Sequence, residues 1–162
     1  MKRRVSVLAL LLPLTLTDCG HKDEPSGLRP AETFQERSEA EVEQALAAAK
    51  EQARREGKHV LLEFVAPWCA DCREVSKVSQ KEPAASVLRD KYVVVPINVG
   101  RFDRHKALLK EHDVKIIAAL VVLDQDGKRI AKTTLEPISK KEALTPDELA
   151  AWLRAPTASS AE

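Results

Sequence analysis

The stretch that decides the fold is VLLEFVAPWCADCREV, residues 60–75. Val60, Leu61, Leu62, Phe64 and Val65 form a near-continuous apolar run broken by one acid, Glu63. A short run without alternation is the pattern of a strand covered on both faces. Trp68 and two cysteines spaced C-x-x-C, Cys69 and Cys72, follow it, and residues 71–80 read as a helix with Val75 and Val78 as apolar residues. A bare C-x-x-C serves a redox centre, a structural disulfide or half of a metal site.

Position favours the first of these. At the start of a helix, Cys69 faces unpaired backbone N–H groups and the positive end of the dipole, which both stabilise a thiolate. The thiolate is the form that attacks a disulfide. Cys72 lies almost one turn later and deeper in the helix, so the expected order is attack by Cys69 and resolution by Cys72. So short a loop removes little chain entropy and makes a poor staple, which weighs against a merely structural disulfide. Two thiols are too few for a closed zinc site, although a dimer would supply more. Glu63, on a strand expected to be buried, is costly unless paired or protonated; a strand-edge acid reaching water is the alternative.

The remainder of the chain is consistent with one domain. It has 162 residues, 44% hydrophobic and 31% charged, with 26 Lys and Arg against 25 Asp and Glu. No basic block points to nucleic acid. MKRR followed by VSVLALLLPLTLT has the form of a secretory signal and is shorter than the about 20 apolar residues a membrane span needs. LTDCG then carries Leu16 and Cys19 at the spacing of a bacterial lipobox, with Asp18 where a small residue is usual. Residues 1–18 are accordingly read as a signal peptide and Cys19 as a lipidation site. Cleavage there would remove three basic residues and one acid, leaving a net charge of −1. Export places the remaining thiols, Cys69 and Cys72, where disulfides persist.

Residues 19–37 are polar, carry Pro and Gly, and read as a flexible tether. Ser38 and Glu41 make a capping box ahead of an amphipathic helix that Gly57 stops. Pro83 begins another turn or two through Leu88. YVVVPINV, residues 92–99, is a second β-rich run, with Pro96 suggesting a strand boundary or bulge. RHKALLKEHD reads as a short helix, on which His105 and His112 share a face and are taken as exposed and solvated. DQDG, residues 124–127, joins two β-type runs as a hairpin. Thr145 and Glu148 form a second capping box with Pro146 at the first helical position. Residues 38–155 are thus the domain, and 156–162 a disordered tail. A strand–helix–strand unit implies parallel pairing and the hairpin adds antiparallel strands, giving a small mixed β-sheet flanked by helices on both faces.

This order, with W-C-x-x-C directly after the first buried strand, resembles the thioredoxin family over residues 38–155. The resemblance implies an α/β, thioredoxin-like fold and a thiol–disulfide oxidoreductase with a redox-active Cys69–Cys72 disulfide. It implies that Glu63 assists proton transfer at Cys72 and that Trp68 shields the disulfide and meets substrate. Family members carry a cis-proline before the third core strand that presents backbone to substrate; alignment puts Ala118 in its place, after Ile117. A cis bond before a non-proline costs about 2.5–4 kcal/mol, so the Ile117–Ala118 peptide is expected to be trans. The missing proline also keeps a metal-binding or metal-delivery reading open, with Cys69 and Cys72 holding copper, zinc or an iron–sulfur cluster. Ala70-Asp71 replaces the usual Gly-Pro, and the charge of Asp71 disfavours thiolate, a reducing bias. The stretch NVGRFDRH, residues 98–105, lies at the carboxyl edge of the sheet, where sites collect, and is read as a solvated loop. No dissolved cofactor is implied. The expected partners are protein thiols and disulfides, a membrane electron donor, and the envelope membrane through Cys19, with the domain facing the periplasm.

Overall fold

The computed structural model describes residues 30–135, 138 and 143–157. The signal, Cys19, the first part of the tether and residues 158–162 of the tail lie outside them. A single turn, α1 (Pro30–Thr33), precedes α2 (Glu39–Glu56). Ser38 caps α2 as expected: its Oγ accepts the Glu41 N–H, and Glu41 takes the Ser38 N–H at 2.7 Å. Gly57 ends the helix in the left-handed region, φ 67°, where a side chain would be strained. Then come β1 (His59–Val65), α3 (Ala70–Val78), α4 (Ala84–Lys91), β2 (Tyr92–Asn98), α5 (Lys106–Glu111), β3 (Ala119–Leu123), β4 (Arg129–Thr134) and α6 (Pro146–Arg154). The second capping box, Thr145 with Glu148, opens α6 around Pro146.

The strands form one mixed sheet in the order β2-β1-β3-β4. β1 runs parallel to β2 and antiparallel to β3, and the β3–β4 hairpin turns at residues 124–127. β1 is central and buried from Val60 to Val65, which is why its sequence is a near-continuous apolar run.

Alternation along β1 assigns its faces. Phe64 lies against His112 at the end of α5, with tilted rings whose centroids are 6.1 Å apart, and α5 is tied to α2 through His105 and Glu39. The opposite face carries His59, Leu61, Glu63 and Val65. His59 lies beside Tyr92, whose hydroxyl donates to the Leu153 carbonyl of α6 at 2.6 Å. Glu74 of α3 accepts the Leu144 N–H just before α6. Glu63 therefore faces the layer made by α3, α4 and α6, below the helix that carries Cys72.

Pro96 corrects the sequence reading. It lies inside β2, paired with Glu63, rather than at a boundary or bulge. β2 is an edge strand, so a residue without an N–H leaves no gap in a ladder on its open side. Within the stretch read as tether, Thr33 is buried, Phe34 packs on the core, and the Phe34 carbonyl accepts Asn98 Nδ2 at 2.8 Å. α1 thereby leans on β2 and α3.

Candidate active site

Three connections leave the sheet at one edge. Val65 pairs with Asn98, and Val99 N donates to the Val65 carbonyl at 2.9 Å. Phe64 pairs with Ala119, the first residue of β3. Residues 66–69, 99–105 and 114–118 consequently gather beyond the carboxyl end of β1. This is where open sheets of this kind place their ligands.

The first connection holds the cysteines. Cys69 N donates to the Ala66 carbonyl at 3.1 Å, and Arg73 Nη1 braces the Pro67 carbonyl at 2.7 Å. Cys69 is the N-cap of α3, in extended conformation, and its Sγ accepts the Cys72 N–H at 3.0 Å. Sulfur thus takes the role that a serine hydroxyl plays at other caps. Cys69 and Cys72 are joined as a disulfide, with Cα atoms 5.3 Å apart. Cys69 is 5% exposed and Cys72 0%.

Trp68 stands over this connection, 52% exposed, and its Nε1 donates to the Gly100 carbonyl at 2.8 Å. The 99–105 loop, expected to be merely solvated, is therefore part of the site. It is tied down throughout: Asn98 Oδ1 accepts Gly100 N, Asp103 Oδ1 accepts Arg101 N, and Arg104 pairs with Glu36 at 2.7 Å. Gly100 has φ 60°, and a Cβ there would run into the Asp103 carboxylate, so both backbone and space demand glycine.

The two histidines are buried, not exposed as read from sequence. The spacing predicts one helix over residues 104–113, but α5 is shorter and the histidines are its caps. His105 N donates to Glu39 Oε1 at 2.8 Å and its Nδ1 lies 3.2 Å from Oε2. Burial holds the His112 imidazole below its ordinary pKa, with Arg129, Lys50 and Lys132 adding to the shift and Glu111 opposing it. Neither burial is legible from spacing, since each depends on a residue distant in sequence.

Glu63 is 6% exposed, and its carboxylate has no hydrogen bond or ion pair among the described residues. Burial alone pushes its carboxyl up to about 7. The acid is thus poised to gain or lose a proton near neutrality.

The third connection departs from expectation. The Ile117–Ala118 peptide is cis where trans was expected. The expectation rested on a local preference; Ile117 and Ala118 are both buried, and the chain enters β3 one residue later, so packing sets the local geometry. Ile116 is instead the exposed apolar side chain of this segment, at 64%. Its signal was available as an apolar residue directly before a buried pair.

The metal reading lacks support. The two sulfurs are bonded to each other, and among the described residues no group of three His, Cys, Asp or Glu gathers that would hold an ion. Nor is any helix among them long and apolar enough to cross a membrane.

Comparison with known proteins matches residues 41–124, more than half of the chain, to the thioredoxin-like family. The chain belongs to that family. This thioredoxin-like chain is 32% identical over 98 residues to the Protein disulfide isomerase-like 2-3 of Oryza sativa subsp. japonica, covering 56% of this chain and 21% of that protein. It is 33% identical over 89 residues to the Thiol:disulfide interchange protein DsbD of Salmonella typhi, covering 54% of this chain and 15% of that protein. The chain therefore spans about a fifth or less of the curated relatives it matches. Among solved structures, a disulphide isomerase from Xylella fastidiosa Temecula1 superposes with a TM-score of 0.65 at 26% identity, over 75% of this chain and 95% of that one.

Proposed function

We propose that this thioredoxin-like protein is a thiol–disulfide oxidoreductase that reduces disulfides of other proteins. The observation that carries the reading is the capping geometry of Cys69, whose sulfur receives the Cys72 N–H at the head of α3. In the reduced protein that donor and the helix dipole stabilise a Cys69 thiolate. The thiolate attacks one sulfur of a substrate disulfide, and the substrate's second sulfur leaves as a thiolate. Cys72 then attacks Cys69 Sγ, releasing the first substrate sulfur and restoring the Cys69–Cys72 bond. Two electrons pass to the substrate.

Cys72 is the more deeply buried thiol and needs a base to lose its proton. Glu63, facing the α3 layer with its carboxyl pushed up to about 7, is the group we assign to take it. Trp68, with the backbone of Ile117 and Ala118, receives the substrate, and exposed Ile116 extends that apolar surface. Reduction of the spent disulfide calls for an electron donor, which we assign to a membrane protein. Export through residues 1–18 and lipidation at Cys19 would hold the domain on the envelope membrane, facing the periplasm.

The test is trapping. Cys72→Ser should accumulate mixed disulfides with substrate proteins, and Cys69→Ser should accumulate none. Redox titration through Trp68 fluorescence should give a reversible couple nearer roughly −270 mV than −120 mV for a reductase. A pair that does not cycle, or equal trapping by both variants, would overturn the assignment.

A further inference from the structure

Beside the disulfide edge lies a groove of about 320 Å³ lined by Lys106, Leu109, Lys110, Asp113, Val114 and Lys115. Lys106, Leu109 and Lys110 are spaced i, i+3, i+4 and share one face of α5. The other wall is the segment that continues through exposed Ile116 into β3. Leu109 and Val114 make an apolar floor, buried beneath three exposed lysines. The single acid is already engaged: Asp113 holds Lys115 at 3.1 Å and Lys132 at 3.3 Å. Lys110 has no ion-pair partner among the described residues, and Lys106 meets only the more distant field of Asp103. The groove is therefore a net positive trough with an apolar base.

We propose that this groove binds an acidic stretch of the substrate protein, close in sequence to the disulfide that Cys69 attacks; the inference rests on the oxidoreductase reading above. The connection is geometric. Ala119 is four residues beyond Lys115 and is paired with Phe64, which is five residues before Cys69. With at most about 3.5 Å per residue and about 5 Å across the strand pair, Lys115 lies within roughly 37 Å of Cys69 along the chain, and Lys106 and Lys110 line the same groove. An extended substrate segment of about a dozen residues or fewer bridges Cys69 and the Lys115 end of the groove. Ile116 lies on that path, so an apolar residue between the acidic stretch and the cysteine meets it. An excess of lysine in a partly enclosed trough attracts such a segment chiefly by raising the encounter rate, an effect that salt removes.

The experiment uses the reduced full chain and two synthetic peptides, each with one disulfide flanked by a run of glutamates or of glutamines. The glutamate peptide should be reduced roughly tenfold faster at low ionic strength, and the ratio should fall towards one at about 0.3 M salt. Lys106→Glu with Lys110→Glu should abolish the preference and leave the glutamine peptide's rate unchanged. Equal rates for the two peptides at low salt, or a preference that survives the double variant, would overturn the groove. If neither peptide is reduced, the oxidoreductase reading has failed. Fluorescence anisotropy of a cysteine-free glutamate peptide then judges the groove by itself, and equal affinity for parent chain and double variant rejects it. Lysine-dependent partition onto anionic phospholipid vesicles, without any peptide preference, would assign the trough to a membrane and overturn the proposal.

Discussion

Replacing Glu63 by glutamine keeps the side chain's shape and removes its charge. In the unfolded chain this carboxyl titrates near 4.5, and in the folded protein near 7. Below 4.5 it is protonated in both states and costs no stability. As pH rises through the interval, the unfolded state ionises first, so the folded state binds more protons and stability falls. Above about 7 the loss levels off, at about 3 kcal/mol for this shift at 1.36 kcal/mol per unit. Glu63→Gln lacks this loss, although a buried amide without partners brings a constant penalty of about 1–3 kcal/mol. The pH-dependent difference isolates the charge. Urea unfolding of the oxidised protein should show the variant gaining about 3 kcal/mol on the parent between about pH 4 and pH 8. Keeping the disulfide closed prevents thiol titration from entering the result. A stability difference flat to within about 0.5 kcal/mol across that range would refute the buried, unpaired carboxyl and with it the proton-transfer role.

Gly100→Ala places a side chain in the left-handed region and against Asp103, and should cost about 1–3 kcal/mol in stability. Because the Gly100 carbonyl holds Trp68, the variant should also shift Trp68 emission and slow disulfide exchange; unchanged emission would detach the loop from the site. His112, held neutral by burial, predicts stability lost as pH falls below about 6.5, since the unfolded histidine then binds a proton the folded one resists. His112→Phe should flatten that acid-side loss in thermal melts, and an unaltered profile would count against it.

Much of this was legible in the sequence because it depended on neighbours in the chain. Ser38 with Glu41, Gly57, Thr145 with Glu148 and the DQDG turn are local devices, and each does what its residue type demands. The apolar run of β1 announced a central strand, and Trp68 with the two cysteines announced its chemistry. What was hidden depended on tertiary placement. Pro96 is acceptable because β2 happens to lie at the edge. His105 and His112 are buried because Glu39 and Phe64 come to them from far along the chain. The geometry at Ile117 and Ala118 follows from packing at the mouth of β3, which overrides a local preference. The sulfur cap at Cys69 needed coordinates, although the position of Cys69 before a helix pointed towards it.

The edge at β2 bears on how the protein behaves in a crowd. A strand with one open side is a template onto which a second copy can add, and parallel stacking of such edges leads to aggregation. Here Pro96 removes a donor from that strand, while α1 and the Phe34 carbonyl, which holds Asn98, press against it. The short turn at residues 30–33 thus packs against the same strand that carries the proline, so this edge strand is less bare than its place in the sheet order implies.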